Sequence, residues 1–299
     1  MNIQSLKFLA CPYTHQPLDI EVSKKKGEEI VKGSFKSKES GLVFLVEDGV
    51  PDFTYPAQLI GSDKDFNKKY EENARLYNEG MDWLFSSFFE NEDDVRNKLI
   101  SYLNIKPNHF ILNMGCGTGG DSTYILRRLG LKGKLFNLDL TRGLLNIARK
   151  TLRNSTTPSE YFVGNGAYLP FKDKTFDSVF HFGGINEFTE KKKAINEMVR
   201  VVKPGGRVVF GDESVSPWLA GKPFGKMIKN ANPLYKHKPP LHLLPDNAQN
   251  VSLNYVLGNS FYIIAFNIGH TSALNLDLPI PGKRGGTLRS RYEQRSNQQ

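Results

Sequence analysis

The segment HFILNMGCGTGGDSTYIL, residues 109–126, places four glycines between two apolar runs. The first run is typical of a buried β-strand and the second of a helix. Glycine adopts left-handed backbone angles without strain and lets a ligand approach the main chain closely. The segment therefore predicts a ligand-binding turn between a strand and a helix.

The rest of this region repeats the same alternation. Further strand-like runs and helix-like runs follow one another, which indicates a mostly parallel α/β sheet with helices on both faces. A run typical of a helix over about residues 92–104 ends before Pro107, and apolar side chains at helical spacing precede it from Phe66 to Phe88. After the KPGG turn the last parallel strand is GRVVFGDE, and Gly258-Asn259 predicts an antiparallel hairpin beyond it. The segment GDSTYILRRLG is expected to be a helix that Gly130 closes.

Residues 1–60 predict a separate small β-rich module, and residues 61–299 a larger α/β domain. Short strand-like runs in this module are split by proline and glycine. The polar segment between them, residues 23–40, is expected to be a hairpin loop, and residues 1–11 the first strand or turn.

A carboxylate in the second predicted strand narrows the class of ligand. Asp139 follows Gly115 by 24 residues, at a strand end where a carboxylate can accept hydrogen bonds from both hydroxyls of a ribose. The spacing GCGTGG lacks the third glycine of a dinucleotide-binding turn. The sequence therefore favours a mononucleoside over NAD.

These landmarks occur together with GNGAYLPFKDKTFDSVF and RVVKPGGRVVFGD. In this order and spacing, over about residues 65–215, the chain resembles the class I S-adenosylmethionine-dependent methyltransferases, and most closely the ubiquinone/menaquinone-biosynthesis group. The resemblance implies a Rossmann-like, mostly parallel seven-stranded sheet with S-adenosyl-L-methionine as cofactor. It also implies an enzyme that methylates a small molecule, of aromatic or lipid-like character. The cofactor-binding residues that it implies are Asn113, Gly115, Cys116, Gly117, Gly119, Asp139, Leu140, Asn165, Gly166, Ala167, Phe182 and Gly183.

By this resemblance, the glycine turn would hold the methionine half of the cofactor and Asp139 the ribose. Leu140 would pack on the adenine, and Phe182 with Gly183 would border the transferable methyl. Two positions depart from the family pattern, because Asn113 and Asn165 stand where an acid is usual. The resemblance implies that the acid at the position of Asn165 receives the amino group of the adenine. An asparagine oxygen still accepts a hydrogen bond, but the strength that a charge adds is lost.

The N-terminal module resembles the zinc-ribbon-like modules that precede some methyltransferase domains, including certain rRNA guanine methyltransferases. Cys11 is followed by Thr14 where the second cysteine of a pair belongs, and no Cys-x-x-Cys pair occurs. With His15 the module offers two ligands against the four of a closed zinc site. We expect no metal here, and a module that covers the substrate side or mediates association.

Charge and cysteine content limit the partners and the location. Two cysteines exclude a disulfide framework, and no apolar run approaches the length of a membrane span, so we expect a cytoplasmic protein. The formal net charge is +9, with clusters of basic residues at 222–238 and 281–299. Such clusters are typical of a solvated face, but they leave RNA open as a less favoured partner. The oligomeric state stays open, a homodimer included.

A general base is needed only if the methyl acceptor arrives protonated. Weak candidates are Glu187, which could instead cap a helix starting near Thr189, and Glu213, which could be an exposed loop acid. His181 is expected to be a satisfied core histidine. A lid-like insertion at about 214–250 contains Tyr235, His237 and His242, whose roles the sequence does not assign.

The leading hypothesis is a small-molecule methyltransferase whose pocket is walled by the aromatic segment 77–89 and the insertion. The alternatives are an rRNA or tRNA methyltransferase, which the basic segment favours and the lack of an RNA-type catalytic motif disfavours, and a non-catalytic protein that has kept the fold.

Overall fold

The N-terminal unit is a four-stranded antiparallel sheet in the computed structural model, which describes residues 1–269, 276–282 and 285–296. A 3₁₀ helix, Ile3–Phe8, precedes the sheet, so the predicted first strand or turn is wrong there. The strands, in sheet order, are β1 (Leu18–Lys26), β2 (Glu29–Ser37), β3 (Val43–Glu47) and β4 (Val50–Pro51).

The polar segment predicted as a hairpin loop forms most of two strands instead. β1 and β2 pair along their length around a tight turn at Gly27, whose φ is 57°. β1 is largely exposed, and β2 buries only alternate side chains such as Phe35. Lysines are therefore tolerated on this hairpin, and its strands lack the apolar runs that indicate a buried strand.

A seven-stranded sheet forms the body of the protein. β11 lies antiparallel to both its neighbours, and the other neighbouring pairs are parallel. The predicted Rossmann-like α/β class, with its C-terminal hairpin, is confirmed. The sheet order is β10-β11-β9-β8-β5-β6-β7, and the strands are β5 (Phe110–Met114), β6 (Lys134–Asp139), β7 (Ser159–Val163), β8 (Phe176–Phe182), β9 (Val202–Glu213), β10 (Ala248–Val256) and β11 (Phe261–Ile268).

Eight α-helices are found among the described residues. They are α1 (Gly61–Asn73), α2 (Tyr77–Ser87), α3 (Glu92–Ser101), α4 (Gly120–Leu126), α5 (Arg142–Thr151), α6 (Lys191–Val201), α7 (Pro223–Ala231) and α8 (Leu288–Ser296). None of these helices has the length and apolar character that crossing a bilayer requires. Lys283 and Arg284 of the predicted basic tail lie outside the described residues.

Two element boundaries differ from prediction. α4 ends at Leu126 instead of running to Gly130, because the chain then tightens: the amide of Arg128 donates to the Ile125 carbonyl and that of Leu129 to the Leu126 carbonyl, each three residues back. The KPGG turn belongs to β9, which starts at Val202 and carries a register shift against β8.

The two sheets share one hydrophobic core. Phe53 is fully buried and its ring contacts Phe35, Phe44 and Phe162. The Phe53 amide donates to the Val163 carbonyl at 2.8 Å, so the end of the N-terminal unit follows the edge strand β7. The division of the chain near residue 60 stays a prediction.

Helix α1 crosses the carboxyl ends of the parallel strands. Asn67 donates from Nδ2 to the Leu140 carbonyl at 2.9 Å, just after β6. The carboxylate of Glu71 accepts from the Gly143 amide at 3.1 Å, in the first turn of α5. These contacts close one side of the space above the sheet where ligands of open α/β sheets bind.

Candidate active site

The turn after β5 needs its glycines. Gly115, Gly117 and Gly119 have φ values of 68°, 54° and 88°, which favour glycine. A Cβ on Gly115 would lie 3.1 Å from the His181 ring, and one on Gly117 would lie 3.3 Å from the Tyr77 hydroxyl. The turn is therefore both left-handed and closely covered.

Asp139 ties this turn to the end of β6. Its Oδ2 accepts from the Gly117 amide at 2.8 Å, and its Oδ1 accepts from the Thr141 amide at 2.9 Å. The side chain is 7% exposed, and this burial raises the pKa of the carboxyl to about 6, although the backbone hydrogen bonds oppose the shift. Asp139 thus lies at the predicted strand end, and its carboxylate also holds the main chain of the glycine turn and of the segment after β6.

A first cavity opens above these residues, between the sheet and α1. Of the predicted cofactor-binding residues, seven line it: Gly115, Gly117, Asp139, Leu140, Asn165, Gly166 and Gly183. Gly183 has a φ of 81° and no atom within 4 Å of the position of a Cβ, so its face is open to a ligand.

The other predicted residues lie elsewhere. Cys116 and Phe182 line a second, adjoining cavity. Gly119 packs against Ala148, and the Ala167 amide donates to the Asn165 side chain, so neither lines the two cavities.

Asn113 is placed away from both cavities. It is 1% exposed, and its Nδ2 donates to the Ser122 hydroxyl at 2.8 Å. That hydroxyl in turn donates to Asn137 Oδ1 at 2.7 Å. The side chain thus joins β5 to α4 and β6 in a buried polar chain, where a carboxylate could not donate to Ser122. Its predicted contact with the cofactor stays a prediction.

Asn165 lies at the cavity wall with both ends of its amide engaged. Oδ1 accepts from the Ala167 amide at 2.9 Å, and Nδ2 donates to Oδ2 of Asp63 at 3.2 Å. Sequence reasoning missed Asp63, which lines the first cavity from the first turn of α1. The available signal was an acid at the start of the helix that precedes the α/β alternation.

The second cavity shares Tyr70, Tyr77, Gly183 and Glu187 with the first. It adds apolar and aromatic walls, the side chain of Arg96 and two further acids, Asp121 and Glu213. The apolar and aromatic residues that are added are Met81, Leu84, Phe85, Leu99, Phe182 and Phe261. The predicted aromatic segment 77–89 therefore contributes part of this wall.

Three acids lie near one another at the second cavity: Glu187 lines both cavities, Glu213 lines the second, and Asp212 is fully buried beside them. Asp212 accepts from the amides of Asn186 and Glu213, and burial together with the Asp212 carboxylate raises the pKa of Glu213 well above its usual range. Burial and the charge of Asp212 raise the pKa of Glu187 to about 7. Glu213 is thus a half-buried acid at the end of β9, and the expectation of an exposed loop acid is wrong.

Glu187 belongs to the 3₁₀ helix Ile185–Glu187, and its Oε2 lies 3.5 Å from the Tyr70 hydroxyl. The next helix, α6, starts at Lys191 without a side-chain cap, so Glu187 does not cap it.

His181 is buried, as predicted, but only one of its ring nitrogens is satisfied. Nδ1 lies 2.7 Å from the Met114 carbonyl, whereas Nε2 has no partner among the described residues. Burial lowers the pKa of the ring, which leaves it neutral. The ring lines the first cavity beside Gly115, so the expectation of a satisfied core histidine is wrong in part.

The predicted lid and the N-terminal unit lie outside both cavity linings. No residue of 1–60 and none of 214–250 is found among the described lining residues. Tyr235 packs behind the wall, edge-on to Phe261, and the carbonyl of His237 accepts from the Ser214 hydroxyl. The lid therefore stays a prediction, and so does the role of the N-terminal unit in covering the substrate side or mediating association.

The two potential zinc ligands have other neighbours. The Cys11 sulfur lies 3.9 Å from the Ser40 hydroxyl, and His15 Nε2 lies 3.4 Å from Glu197 Oε1. Within the described ranges, no three His, Cys, Asp or Glu side chains cluster as metal ligands. Both cysteines are free and buried.

The first cavity suits a nucleoside cofactor. Left-handed glycines leave its floor without side chains, and a buried carboxylate stands at the end of β6. Main-chain groups and a carboxylate in this arrangement are typical of ribose binding beside a glycine turn.

This fold and site define a class I methyltransferase. The ubiE/COQ5 methyltransferase family matches residues 66–230, and the chain belongs to that family. The predicted resemblance and the S-adenosylmethionine cofactor are thereby confirmed. A second family, the Trm112p-like proteins, matches residues 5–49.

Curated relatives carry related names. The chain is 33% identical over 162 residues to a ubiquinone/menaquinone biosynthesis C-methyltransferase of Wigglesworthia glossinidia brevipalpis, covering 54% of the chain and 60% of that protein. It is 26% identical over 184 residues to a demethylmenaquinone methyltransferase of Lactiplantibacillus plantarum, covering 55% and 78%. A relative from Escherichia fergusonii is matched over 53% of its length, so the chain spans little more than half of some relatives.

Solved structures share the fold. One is a phosphoethanolamine N-methyltransferase of Haemonchus contortus in complex with S-adenosyl-L-methionine, with a TM-score of 0.53 and 12% identity, covering 76% of the chain and 63% of that protein. Another comes from a complex between the Haloferax volcanii Trm112 methyltransferase activator and a methyltransferase, with a TM-score of 0.51, 13% identity and coverage of 67% and 98%. At these identities the likeness concerns the fold alone.

Proposed function

We propose that this protein transfers a methyl group from S-adenosylmethionine to a small quinone-related molecule. The observation that carries the proposal is the pair of joined cavities. One is floored by glycines and holds Asp139, and the other is walled by apolar and aromatic side chains. The names of the curated relatives support a quinone-related acceptor.

The first cavity would hold the cofactor. Asp139 would accept hydrogen bonds from the ribose hydroxyls, Leu140 would pack on the adenine, and the main chain of Gly115 and Gly117 would hold the methionine half. When bound, the cofactor supplies a methyl group on a positively charged sulfur. The protein contributes mainly proximity and alignment, which can be worth about 7 to 11 kcal/mol.

The second cavity would hold the acceptor ring. Phe85, Phe182 and Phe261 offer ring faces and edges on which a flat aromatic molecule can pack. Gly183 lines both cavities and has no side chain, so it leaves the passage between them open. An acceptor placed there would face the transferable methyl group.

Glu187 is the better of the two candidate bases. It lines both cavities, and with a pKa near 7 it can accept a proton at neutral pH. The raised pKa of Glu213 beside Asp212 favours the protonated carboxyl, which can donate a hydrogen bond to a polar atom of the acceptor. When the methyl group bonds to the acceptor, the proton that the acceptor loses would pass to the Glu187 carboxylate.

Methyl-labelled S-adenosylmethionine tests the proposal directly. Purified protein is incubated with a reduced demethylated naphthoquinone, with a benzoquinone analogue, or with total RNA. We expect label in the quinol fraction. Label in RNA alone would establish the alternative, an RNA methyltransferase. Binding of the cofactor with no transfer to any acceptor would favour a non-catalytic protein.

The N-terminal unit would stabilise the methyltransferase body within the same chain. The Trm112 named in one structural neighbour is a separate methyltransferase activator, whereas here a Trm112p-like segment is part of the same chain. Phe35 and Phe44 of that segment contact Phe53, whose ring contacts Phe162 of β7. Residues 61–299 expressed alone should therefore be less soluble than the full chain, and adding residues 1–60 should restore solubility. A soluble, equally active 61–299 fragment would contradict this role.

A further inference from the structure

Asp63 stands in the first cavity next to one of the two asparagines that replace an acid. It lies in the first turn of α1, far from Asn165 in sequence, yet its Oδ2 accepts from Asn165 Nδ2 at 3.2 Å. The fold thus brings a carboxylate to the position where the sequence lacks one.

The amide of Asn165 is oriented so that its oxygen is already used. Oδ1 accepts from the Ala167 amide at 2.9 Å, which leaves Nδ2 directed at Asp63. Both partners fix this orientation, because a main-chain N–H requires an acceptor and an ionised carboxylate requires a donor. Asn165 therefore presents a donor on this side, and a donor cannot receive an amino group of a ligand.

Hydrogen bonds to Thr189 fix the position of Asp63 and leave its carboxylate able to accept further hydrogen bonds from a ligand. Its Oδ1 accepts from the Thr189 amide at 3.0 Å, while its own amide donates to the Thr189 hydroxyl at 3.1 Å. An ionised carboxylate offers about four acceptor sites, and these contacts use two of them. No Lys or Arg pairs with Asp63 within the part of the chain that the structure describes, and the side chain is only half-buried.

The acids nearby on α1 are not equivalent. Asp65 is exposed and is not among the lining residues. Glu71 accepts from the Gly143 amide outside the lining. Asp63 is the one acid of α1 that lines the first cavity.

We propose that Asp63 accepts the hydrogen bond from the amino group of the cofactor's adenine and so replaces the acid absent from position 165. This assignment rests on the proposed function, because it requires an adenosine cofactor in the first cavity. Recognition of the base is then shared between the α/β body and helix α1, and Asn165 acts as the positioning residue that holds the Asp63 carboxylate at the cavity wall.

The test compares two ligands by titration calorimetry. One is S-adenosylhomocysteine, and the other is its analogue in which the 6-amino group of the purine is replaced by hydrogen. The wild-type protein should prefer the adenine compound by about tenfold or more, as expected for one hydrogen bond to a charged acceptor. Asp63→Asn should reduce this preference to about threefold or less, mostly through weaker binding of the adenine compound.

Two further variants make the result specific. Asp65→Asn removes the same charge from an exposed position of the same helix and should leave the preference unchanged. The double variant Asp63→Asn with Asn165→Asp moves the carboxylate to the position that the family uses, and it should restore most of the preference. This rescue would not follow if Asp63 only stabilised the start of α1.

The outcomes separate this inference from the proposed function. If the Asp63→Asn variant binds S-adenosylhomocysteine and still prefers it over the analogue as strongly as the wild-type protein does, Asp63 does not bind the amino group of the adenine. The proposed function then stands. A wild-type protein that binds neither compound overturns both.

Discussion

Asp139→Asn should weaken binding of the cofactor product S-adenosylhomocysteine strongly at pH 8 and weakly at pH 5. At pH 8 the wild-type carboxyl is ionised, because its pKa is raised to about 6 by burial. A hydrogen bond to an ionised acceptor contributes about 1 kcal/mol more than one to a neutral acceptor. For two ribose hydroxyls the loss is about 2 kcal/mol, which corresponds to about thirtyfold in the dissociation constant.

The fold should survive this substitution. Asparagine keeps one acceptor oxygen, so one of the two amides, Gly117 or Thr141, loses its partner at a cost of about 1 to 3 kcal/mol. The substitution also removes the free-energy cost of burying an ionised carboxyl in the folded protein. With the pKa displaced from 3.8 to about 6, that cost is about 3 kcal/mol at pH 8. The two effects are similar in size, and the melting temperature should change by only a few degrees.

The pH dependence has a definite sign. The pKa of Asp139 is higher in the folded protein than in the unfolded chain, so between about pH 4 and 6 the folded protein binds more protons than the unfolded chain. The free energy of unfolding of the wild-type protein therefore falls as the pH rises through that range. Cofactor affinity should do the opposite and rise with pH up to about 6, since the ribose requires the ionised form. Asp139→Asn should lack both dependences.

The assay is calorimetric titration of both proteins with S-adenosylhomocysteine from about pH 5 to 8, with melting curves at each pH. An unchanged dissociation constant at pH 8 would remove Asp139 from the site. A loss of affinity that is the same at every pH would show that the charge of the carboxyl is not what matters.

Three further predictions concern other parts of the molecule. The rate of methyl transfer should rise with pH through about 7, and Glu187→Gln should abolish this rise while keeping cofactor affinity; pH–rate profiles showing the same rise in the variant would exclude Glu187 as the base. Elemental analysis should find no zinc held in the N-terminal unit, since Cys11 lacks a set of ligands, and one zinc per chain would refute this. Arg96→Met should lower the free energy of unfolding by about 3 to 5 kcal/mol in urea, because the buried guanidinium pairs with Asp121 at 2.6 Å, whereas the exposed Arg127→Met should cost at most about 1 kcal/mol. Equal losses for the two arginine variants would contradict that reasoning.

The sheet could be predicted because its signals are local. Buried parallel strands are short apolar runs, and the glycine turn and Asp139 mark their carboxyl ends. The hairpin of β1 and β2 was not predicted, because an exposed strand pair needs no apolar run and its lysines are typical of a loop. The 3₁₀ helix Ile3–Phe8 was missed because six residues are too few to show a periodic pattern.

The site was predictable only where one segment forms it. Gly115, Gly117 and Asp139 fall on continuous motifs, and the structure places them around one cavity. The approach of Asp63 to Asn165 depends on how α1 crosses the sheet, which no local pattern encodes. The burial of Glu213 likewise follows from the pairing of β9 with β11, which covers an acid that the sequence alone would leave in a loop.

Calorimetric titration of the full chain with S-adenosylhomocysteine and, separately, with NAD tests the central claim most directly. The glycine spacing, Asp139 and the joined cavities predict saturable binding of one S-adenosylhomocysteine per chain and no binding of NAD. Tight binding of NAD without any response to S-adenosylhomocysteine would contradict the account.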